Sequence, residues 1–319
     1  MPAPALPPPE DDRRIVAVAT TNVFCRPGCP APAPRAVNTE RLATAREALF
    51  AGYRPCLRCR PLAERGGNVT DAELRRAEAL RPALAAARRT RRHRSGARAV
   101  VLSLVHTPLG RMLAGVTDDG LALLEYTDRP MLPTQLATLT RRLRRPLVAG
   151  RHPLHDELQA QLDAYFAGHR QTFDLPVVAP GSPFQERVWA ALRRIAPGAT
   201  VSYEELAAGV GHPGAQRAVG TANGANRLAV VIPCHRVVHK SGETGNYGGG
   251  RWRKAWLLDH ERAMTANARR RRNVIGSEAD VGAHGVVAAV DVDHLAGRLG
   301  RPVADQEADH LADRSRIGQ

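Results

Sequence analysis

Between residues 99 and 126 the apolar positions fall into three short runs, Ala99–Val105, Arg111–Val116 and Leu121–Tyr126, each the length of a strand. Thr107-Pro108-Leu109-Gly110 and Thr117-Asp118-Asp119-Gly120 separate them with turn residues, which predicts a short antiparallel meander. The period then changes. Leu154, Leu158, Leu162 and Phe166 recur at helical spacing within 154–167. Further helices are written from Asp71 to about Arg88, and from Ser182, where Ser182-Pro183-Phe184-Gln185 is a capping box with proline at the first helical position. Phe184, Val188, Leu192 and Ile195 keep one face until Pro197-Gly198 stops that helix. Ser202-Tyr203-Glu204-Glu205 opens a second helix ending near Gly209, and a third runs from Ala215 to about Asn223. Helix, tight turn and helix at this spacing predict a helix-turn-helix. The third helix is rich in small residues (Ala215, Ala218, Gly220, Ala222), which suits close backbone approach to a core or to a nucleic-acid groove.

Composition changes this picture in two ways. The formal charge of +15 favours polyanionic partners. All but Lys240 and Lys254 of the 46 basic residues are arginine, so many of them are read as solvated surface rather than phosphate contacts. No apolar run reaches the length of a membrane span, and the proline-rich start MPAPALPPPE lacks the pattern of a signal peptide. The expected location is the cytoplasm, where thiols stay reduced and cysteines serve as metal ligands or nucleophiles.

Four of the five cysteines form two close pairs, Cys25-x3-Cys29 and Cys56-x2-Cys59, with 26 residues between them. This donor set and spacing suit a tetrahedral Zn²⁺, and a stretch of some fifty residues needs such a staple for want of core. Spacing alone makes the zinc structural. Four thiolates on Zn²⁺ leave a net double negative charge, which repels phosphate, and electron-rich sulfurs open to an electrophilic methyl group. The run Val18-Ala19-Thr20-Thr21-Asn22-Val23-Phe24-Cys25-Arg26-Pro27-Gly28-Cys29, followed by Ala51-Gly52-Tyr53-Arg54-Pro55-Cys56-Leu57-Arg58-Cys59-Arg60-Pro61, closely resembles the N-terminal metal domain of the Ada family. The resemblance implies that Cys25 accepts a methyl group from a DNA methylphosphotriester. Losing one negative charge beside a phosphate could then strengthen DNA binding by on the order of one to a few kcal/mol. Asn22 stands where that family has glycine, a position asparagine tolerates because it accepts positive φ.

Cys234 is the cysteine the metal site leaves over, in Val231-Ile232-Pro233-Cys234-His235-Arg236-Val237-Val238. A lone cysteine in an apolar run is ordinarily an inert buried hydrophobe. Here Pro233 fixes the preceding backbone, His235 follows directly, and Val230–Pro233 reads as the end of a buried strand. A nucleophilic thiol needs a base, and the base needs an acid behind it, for which Glu261 is a candidate. Phe184-Gln185-x2-Val188-Trp189, Ser202-Tyr203, Gln216-Arg217-Ala218-Val219-Gly220, Asn223-Gly224-x-Asn226, Pro233-Cys234-His235-Arg236, Gly245-Asn246-Tyr247, Lys254 and Leu257-Leu258-x2-Glu261 together resemble an O6-alkylguanine-DNA alkyltransferase, a methylated-DNA–[protein]-cysteine S-methyltransferase. The resemblance covers about eighty residues without gaps, and the preceding meander is similar to that family's N-terminal subdomain. It implies that Cys234 attacks the alkyl carbon, that His235 takes the thiol proton through a water, and that Glu261 supports His235. It further implies that Asn226 steadies the site, Tyr203 acts on the base or crowds its phosphate, and Arg217 replaces the extruded base in the stack. Extrusion is required because O6 is out of a thiolate's reach inside a duplex. The third helix would lie in the minor groove, accounting for Ala215, Ala218 and Ala222. Gly248 departs from the hydroxyl residue that many relatives carry there.

The chain is therefore expected to be an α+β protein with these parts: 1–12 disordered; 13–62 a zinc-stapled Ada-like domain; 63–97 a helix and basic linker; 98–180 the alkyltransferase N-terminal subdomain; 181–264 a helix-turn-helix, winged-helix-like catalytic domain; and 265–319 a poorly ordered tail. The expected function is single-turnover, direct-reversal DNA repair by a monomer acting on double-stranded DNA that carries O6-alkylguanine or methylphosphotriester, without membrane attachment. The alternative is a methylation-sensing regulator of transcription. Residues 63–97 are too few for the regulatory domain that Ada proteins usually carry in the middle.

Overall fold

The computed structural model describes residues 15–63, 69–88 and 99–278, with some side chains left out from 269 onward; the expected disordered start and most of the basic linker lie outside these residues. The chain mixes helices with open sheets, as the expected fold class requires. In the first sheet β1 (Ile15–Val18) lies between β2 (Val23–Cys25) and β3 (Thr39–Leu42), both antiparallel to it, and β4 (Arg54–Pro55) joins β2 in parallel. Asn22 makes the β1–β2 turn at φ 55°, the left-handed conformation that asparagine accepts. Helix α1 (Ala45–Phe50), capped by Thr44, closes a small core of Ile15, Ala17, Phe24, Leu49, Phe50 and Tyr53.

Helix α2 (Asp71–Ala87) starts at a Thr70–Glu73 capping box and is not a free spacer. Ala77 belongs to the first core, whereas Leu80, Leu84 and Ala87 pack on the next sheet. That sheet contains the predicted meander, β5 (Val100–Thr107), β6 (Gly110–Thr117) and β7 (Gly120–Tyr126). It also gains a short parallel edge strand, β8 (Leu147–Ala149), beyond β5. Both faces are covered, which explains the nearly continuous apolar strands. Val100, Leu102, Leu104 and Leu113 meet α2 and α3 (Leu132–Leu143), and Val105, Met112, Ala114 and Val116 meet α4 (Pro153–Phe166) and the C-terminal core.

The first of the C-terminal helices, α5 (Pro183–Arg194), begins at the Ser182–Gln185 capping box. A short strand β9 (Val201–Ser202) leads into α6 (Tyr203–Gly209), whose own box is Ser202–Glu205. Helix α7 (Gln216–Gly224) follows, and β10 (Val237–Val238) pairs in parallel with β9. Helix α8 (Arg251–Glu278) runs past residue 264, so the first part of the expected poorly ordered tail continues a helix; 279–319 lie outside the described residues. The three parts are tied by charge. Arg46 of α1 pairs with Glu73 of α2 and with Asp128 after β7, at 2.8 Å each. Asp128 also holds Arg253 of α8 at 2.9 Å, and Arg111 pairs with Glu40.

Candidate active site and metal centre

Two tight turns present Cys234. The Val231 N–H bonds to the Ala229 carbonyl across Val230, whose φ is 71°. This is the rare form of γ-turn, and a β-branched residue in that conformation carries strain of about 1–3 kcal/mol. The Cys234 N–H then bonds to the Ile232 carbonyl across Pro233, whose φ of −81° and ψ of 64° give the relaxed inverse turn that proline favours. Residues 230–233 are therefore not a strand, contrary to the sequence reading. Their burial supplied the apolar pattern, and consecutive turns supplied the shape. A 3-10 turn, Cys234–Arg236, completes the segment.

Cys234 is 6% exposed. Asn226 Nδ2 donates to Cys234 Sγ at 3.2 Å and to the Ile232 carbonyl at 2.9 Å, while Asn226 Oδ1 accepts from the Leu228 N–H. Asn223 of α7 donates to the Cys234 carbonyl at 3.2 Å. Burial pushes the thiol up; the Asn226 bond and the positive charges of Arg129 and Lys254 oppose this, and Glu125 adds to it. Lys254, itself brought down to about 8 by burial, donates to the Val237 carbonyl at 2.6 Å.

The residue that follows Cys234 belongs to a fully buried acid–base pair. His235 Nε2 lies 3.0 Å from Glu261 Oε1. Burial brings His235 down and Glu261 partly restores it, so the ring is neutral at neutral pH. Its other nitrogen, Nδ1, has no partner among the described residues. Burial would raise Glu261, but His235 and Arg236 outweigh it and hold the carboxylate far below its ordinary range. Arg236 donates to both carboxylate oxygens at 2.7 and 2.9 Å, Tyr165 Oη donates at 2.8 Å, and the Gly198 N–H donates at 3.1 Å.

The structure thus brings Cys234, His235, Glu261 and Asn226 into one neighbourhood. Tyr203 opens α6 half-buried, its hydroxyl raised by burial and then by the Cys234 charge. Arg217 stands apart on the exposed side of α7. The small residues of α7 do not form one outward face. Arg217, Ala218, Thr221 and Gly224 are exposed, whereas Ala222 is 2% exposed and its carbonyl takes the Trp189 indole N–H. Ala222 serves the core, one turn on from the buried Val219 and next to the buried Asn223. Sequence reasoning assigned no role to Arg236, Tyr165, Glu125, Arg129 or Gln135. A charged residue inside the apolar run of β7 was a visible signal for Glu125, but its partners come from distant segments.

The four remaining cysteines converge as the spacing implied. Cys25 ends β2, and Cys56 follows β4, with its N–H bonded to the Phe24 carbonyl. Gly28 and Arg60 turn the two knuckles at φ 72° and 43°. All four sulfurs lie within 4.8 Å of one another, and those of Cys29 and Cys56 are 4.0 Å apart. Zinc–sulfur bonds of about 2.3 Å place tetrahedral sulfurs about 3.8 Å apart, so the donor set fits Zn²⁺. The Cys59 backbone N–H brings Cys56 down to about 7, whereas burial and then Cys56 and Cys29 push Cys25 up. Burial also raises Cys59. Cys25 and Cys59 therefore need a cation to ionise. Cys25 and Cys29 are half-buried, and Cys56 and Cys59 are buried.

Residues 8–62 match the metal binding domain of Ada, and residues 183–263 match the DNA binding domain of 6-O-methylguanine DNA methyltransferase. The chain is 55% identical over 102 residues to a methylated-DNA–protein-cysteine methyltransferase of Mycolicibacterium paratuberculosis, covering 32% of this chain and 62% of that protein. It is 50% identical over 105 residues to the protein of the same name from Salmonella typhimurium, covering 33% and 61%. The match thus spans about three-fifths of the length of these relatives. A crystal structure of the Mycobacterium tuberculosis O6-methylguanine methyltransferase aligns at 36% identity and a TM-score of 0.46, over 52% of this chain and 94% of that one.

Proposed function

The chain is an Ada-type fusion that joins the metal binding domain of Ada to an alkyltransferase domain, and from this premise we propose that it repairs alkylated double-stranded DNA by irreversible transfer of the alkyl group from O6-alkylguanine to Cys234. The observation that carries the reading is the buried constellation itself: a thiol with an amide donor at 3.2 Å, followed in the chain by an imidazole that a buried carboxylate braces at 3.0 Å. An inert core cysteine needs none of these groups.

The thiol proton passes to the free Nδ1 side of His235, and Glu261 offsets the imidazolium charge. The Cys234 sulfur forms a bond to the alkyl carbon as the carbon–O6 bond breaks. The bonding pair stays on the guanine, which takes up one proton and is restored. Asn226 holds the sulfur toward the carbon. The product is a thioether with no leaving group, so each molecule reacts once. The target base must leave the stack to reach a nearly buried sulfur. In this reading Tyr203 contacts the extruded nucleotide, and the exposed Arg217 occupies the gap it leaves. Incubation with duplex DNA containing O6-methylguanine is expected to add one methyl mass to the Cys234 peptide; a Cys234→Ala protein that still clears the lesion refutes it.

We further infer a second acceptor. A zinc ion bound by Cys25, Cys29, Cys56 and Cys59 would keep all four sulfurs ionised and nucleophilic. Cys25 and Cys29 are half-buried rather than buried, and of the two Cys25 closes the strand of the resembling motif. Duplex DNA bearing methylphosphotriesters is expected to label Cys25. Label on Cys29 instead, or on none of the four, removes the second acceptor and leaves the first standing. Among the described residues no helix is long and apolar enough to cross a membrane.

A further inference from the structure

A second buried charged layer borders the thiol from the meander side. Arg129, which follows β7, is 6% exposed and pairs with Glu125, which is fully buried. One guanidinium nitrogen also donates to the Asn226 carbonyl at 3.2 Å, and another to the Gly224 carbonyl at 2.6 Å. Gln135 of α3 donates to the same Asn226 carbonyl at 3.1 Å. The backbone joins in: the Leu124 N–H bonds to the Arg227 carbonyl, and the Ala229 N–H bonds to the Leu124 carbonyl. The turn carrying Asn226 is therefore gripped by β7 and by the residue that follows it. Gly248 closes the layer. A Cβ built there would lie 2.5 Å from Arg129 Nε and 2.7 Å from a terminal nitrogen, so the guanidinium fills the space of a side chain at 248.

We propose that Arg129 is a positioning residue for alkyl transfer: it pins the Gly224–Asn226 turn from which Asn226 reaches the Cys234 sulfur, it places a positive charge near that sulfur, and residue 248 is glycine to admit it. Two arrangements of the layer are excluded on energetic grounds. An arginine this buried without Glu125 would be an uncompensated charge, and Glu125 without Arg129 would take up a proton, as the upward push of its burial shows. The pair is thus kept for its position, since two apolar side chains would pack the same space at no electrostatic cost. The groups acting on the sulfur are Arg129 and Lys254, which favour the thiolate; Glu125, which opposes it; and Tyr203 and Tyr247, whose hydroxyls lie near enough to feel its charge.

The inference rests on the reading of Cys234 as acceptor, and the test separates the two. Zinc-loaded full-length protein is treated with iodoacetamide across a pH series, and alkylation of the Cys234 peptide is followed by mass spectrometry. Single-turnover methyl transfer from O6-methylguanine duplex DNA is timed in parallel. For Arg129→Met the midpoint of the labelling profile is expected to rise by about one pH unit, and transfer at neutral pH to slow about tenfold. Gly248→Ala, which keeps every charge but displaces the guanidinium, is expected to shift the midpoint in the same direction. Adding it to Arg129→Met should move the midpoint no further. Labelling that falls or rises equally at every pH marks a merely structural arginine and overturns the proposal, as do additive effects of the two substitutions. If the unsubstituted protein accepts no methyl from DNA yet the midpoints shift as stated, the repair reading fails and the role of Arg129 toward the thiol stands.

Discussion

Replacing Glu261 with glutamine keeps the shape of the side chain and removes its charge. The carboxylate accepts five hydrogen bonds, from Tyr165, His235, Arg236 twice and Gly198. A glutamine amide keeps one acceptor and turns a donor toward groups that are themselves donors. If its nitrogen takes the place of Oε2, Arg236 Nε and the Gly198 N–H lose their acceptor; if it takes the place of Oε1, Tyr165, His235 and Arg236 Nη2 do. In both orientations Arg236, 6% exposed, loses its counter-charge. Breaking a buried pair from one side costs about 3–5 kcal/mol. Trp189, Trp252 and Trp256 are the chain's three tryptophans and all lie in the alkyltransferase part, so urea unfolding followed by tryptophan fluorescence reports on that part. The expected loss at neutral pH is about 3–5 kcal/mol. Acid supplies an independent check on sign. Glu261 is held below its ordinary value of 4.5 in the folded chain. Its contribution is therefore complete above that pH and is lost as pH falls toward the lower folded value. The gap between parent and variant should narrow by about 1.4 kcal/mol per pH unit below the ordinary carboxylate range. A variant within 1 kcal/mol of the parent, or a gap that stays constant from pH 5 to pH 3, refutes the picture of an ionised, load-sharing carboxylate.

Three further outcomes are expected. Asn226→Ala removes the donor to Cys234 Sγ and to the Ile232 carbonyl, and should slow methyl transfer by about 10- to 100-fold at neutral pH while leaving the tryptophan fluorescence spectrum unchanged; the transfer rate measures it. Removing zinc with a chelator should expose the backbone of residues 15–63, whose core holds few large side chains, and protease cleavage there before and after chelation reads it. Asp128→Asn leaves Arg253 without its buried partner and should destabilise the alkyltransferase part by about 3 kcal/mol in the same urea assay.

The helix starts and the cysteine cluster were legible because they are written in short segments. The capping boxes at Ser182 and Ser202 start helices where the sequence puts them, and the two cysteine pairs converge. Asn22 adopts the positive φ that asparagine accepts. What escaped the sequence depends on partners far along the chain. β8 is three residues long and gains its identity only by pairing with Val100–Leu102. Val230–Pro233 reads as a strand because burial alone makes it apolar, while its hydrogen bonds close turns. The sequence marks α2 as a helix but not the core it joins, because its apolar positions serve two, Ala77 one and Leu80 and Leu84 the other, which blurs a single face.

The same non-locality bears on how a buried thiol would serve as the proposed nucleophile. Burial at 6% exposure works against the thiolate, and nothing in the segment 230–238 fully reverses that. The adjacent His235 is neutral because it is buried, so it can accept a proton but cannot stabilise a thiolate by its own charge. The compensating groups arrive from elsewhere: Asn226 from the turn after α7, Lys254 from α8, Arg129 from the end of β7, and Glu261 from α8 behind the imidazole. On the proposed role of Arg129 the meander belongs to the chemistry, since β7 and the residue that follows it bond to the turn from which Asn226 reaches the sulfur. On the proposed reading, reactivity depends on assembly of the whole alkyltransferase part: a free Pro233-Cys234-His235-Arg236 peptide would keep the thiol and the imidazole and lose Asn226, Lys254, Arg129 and Glu261.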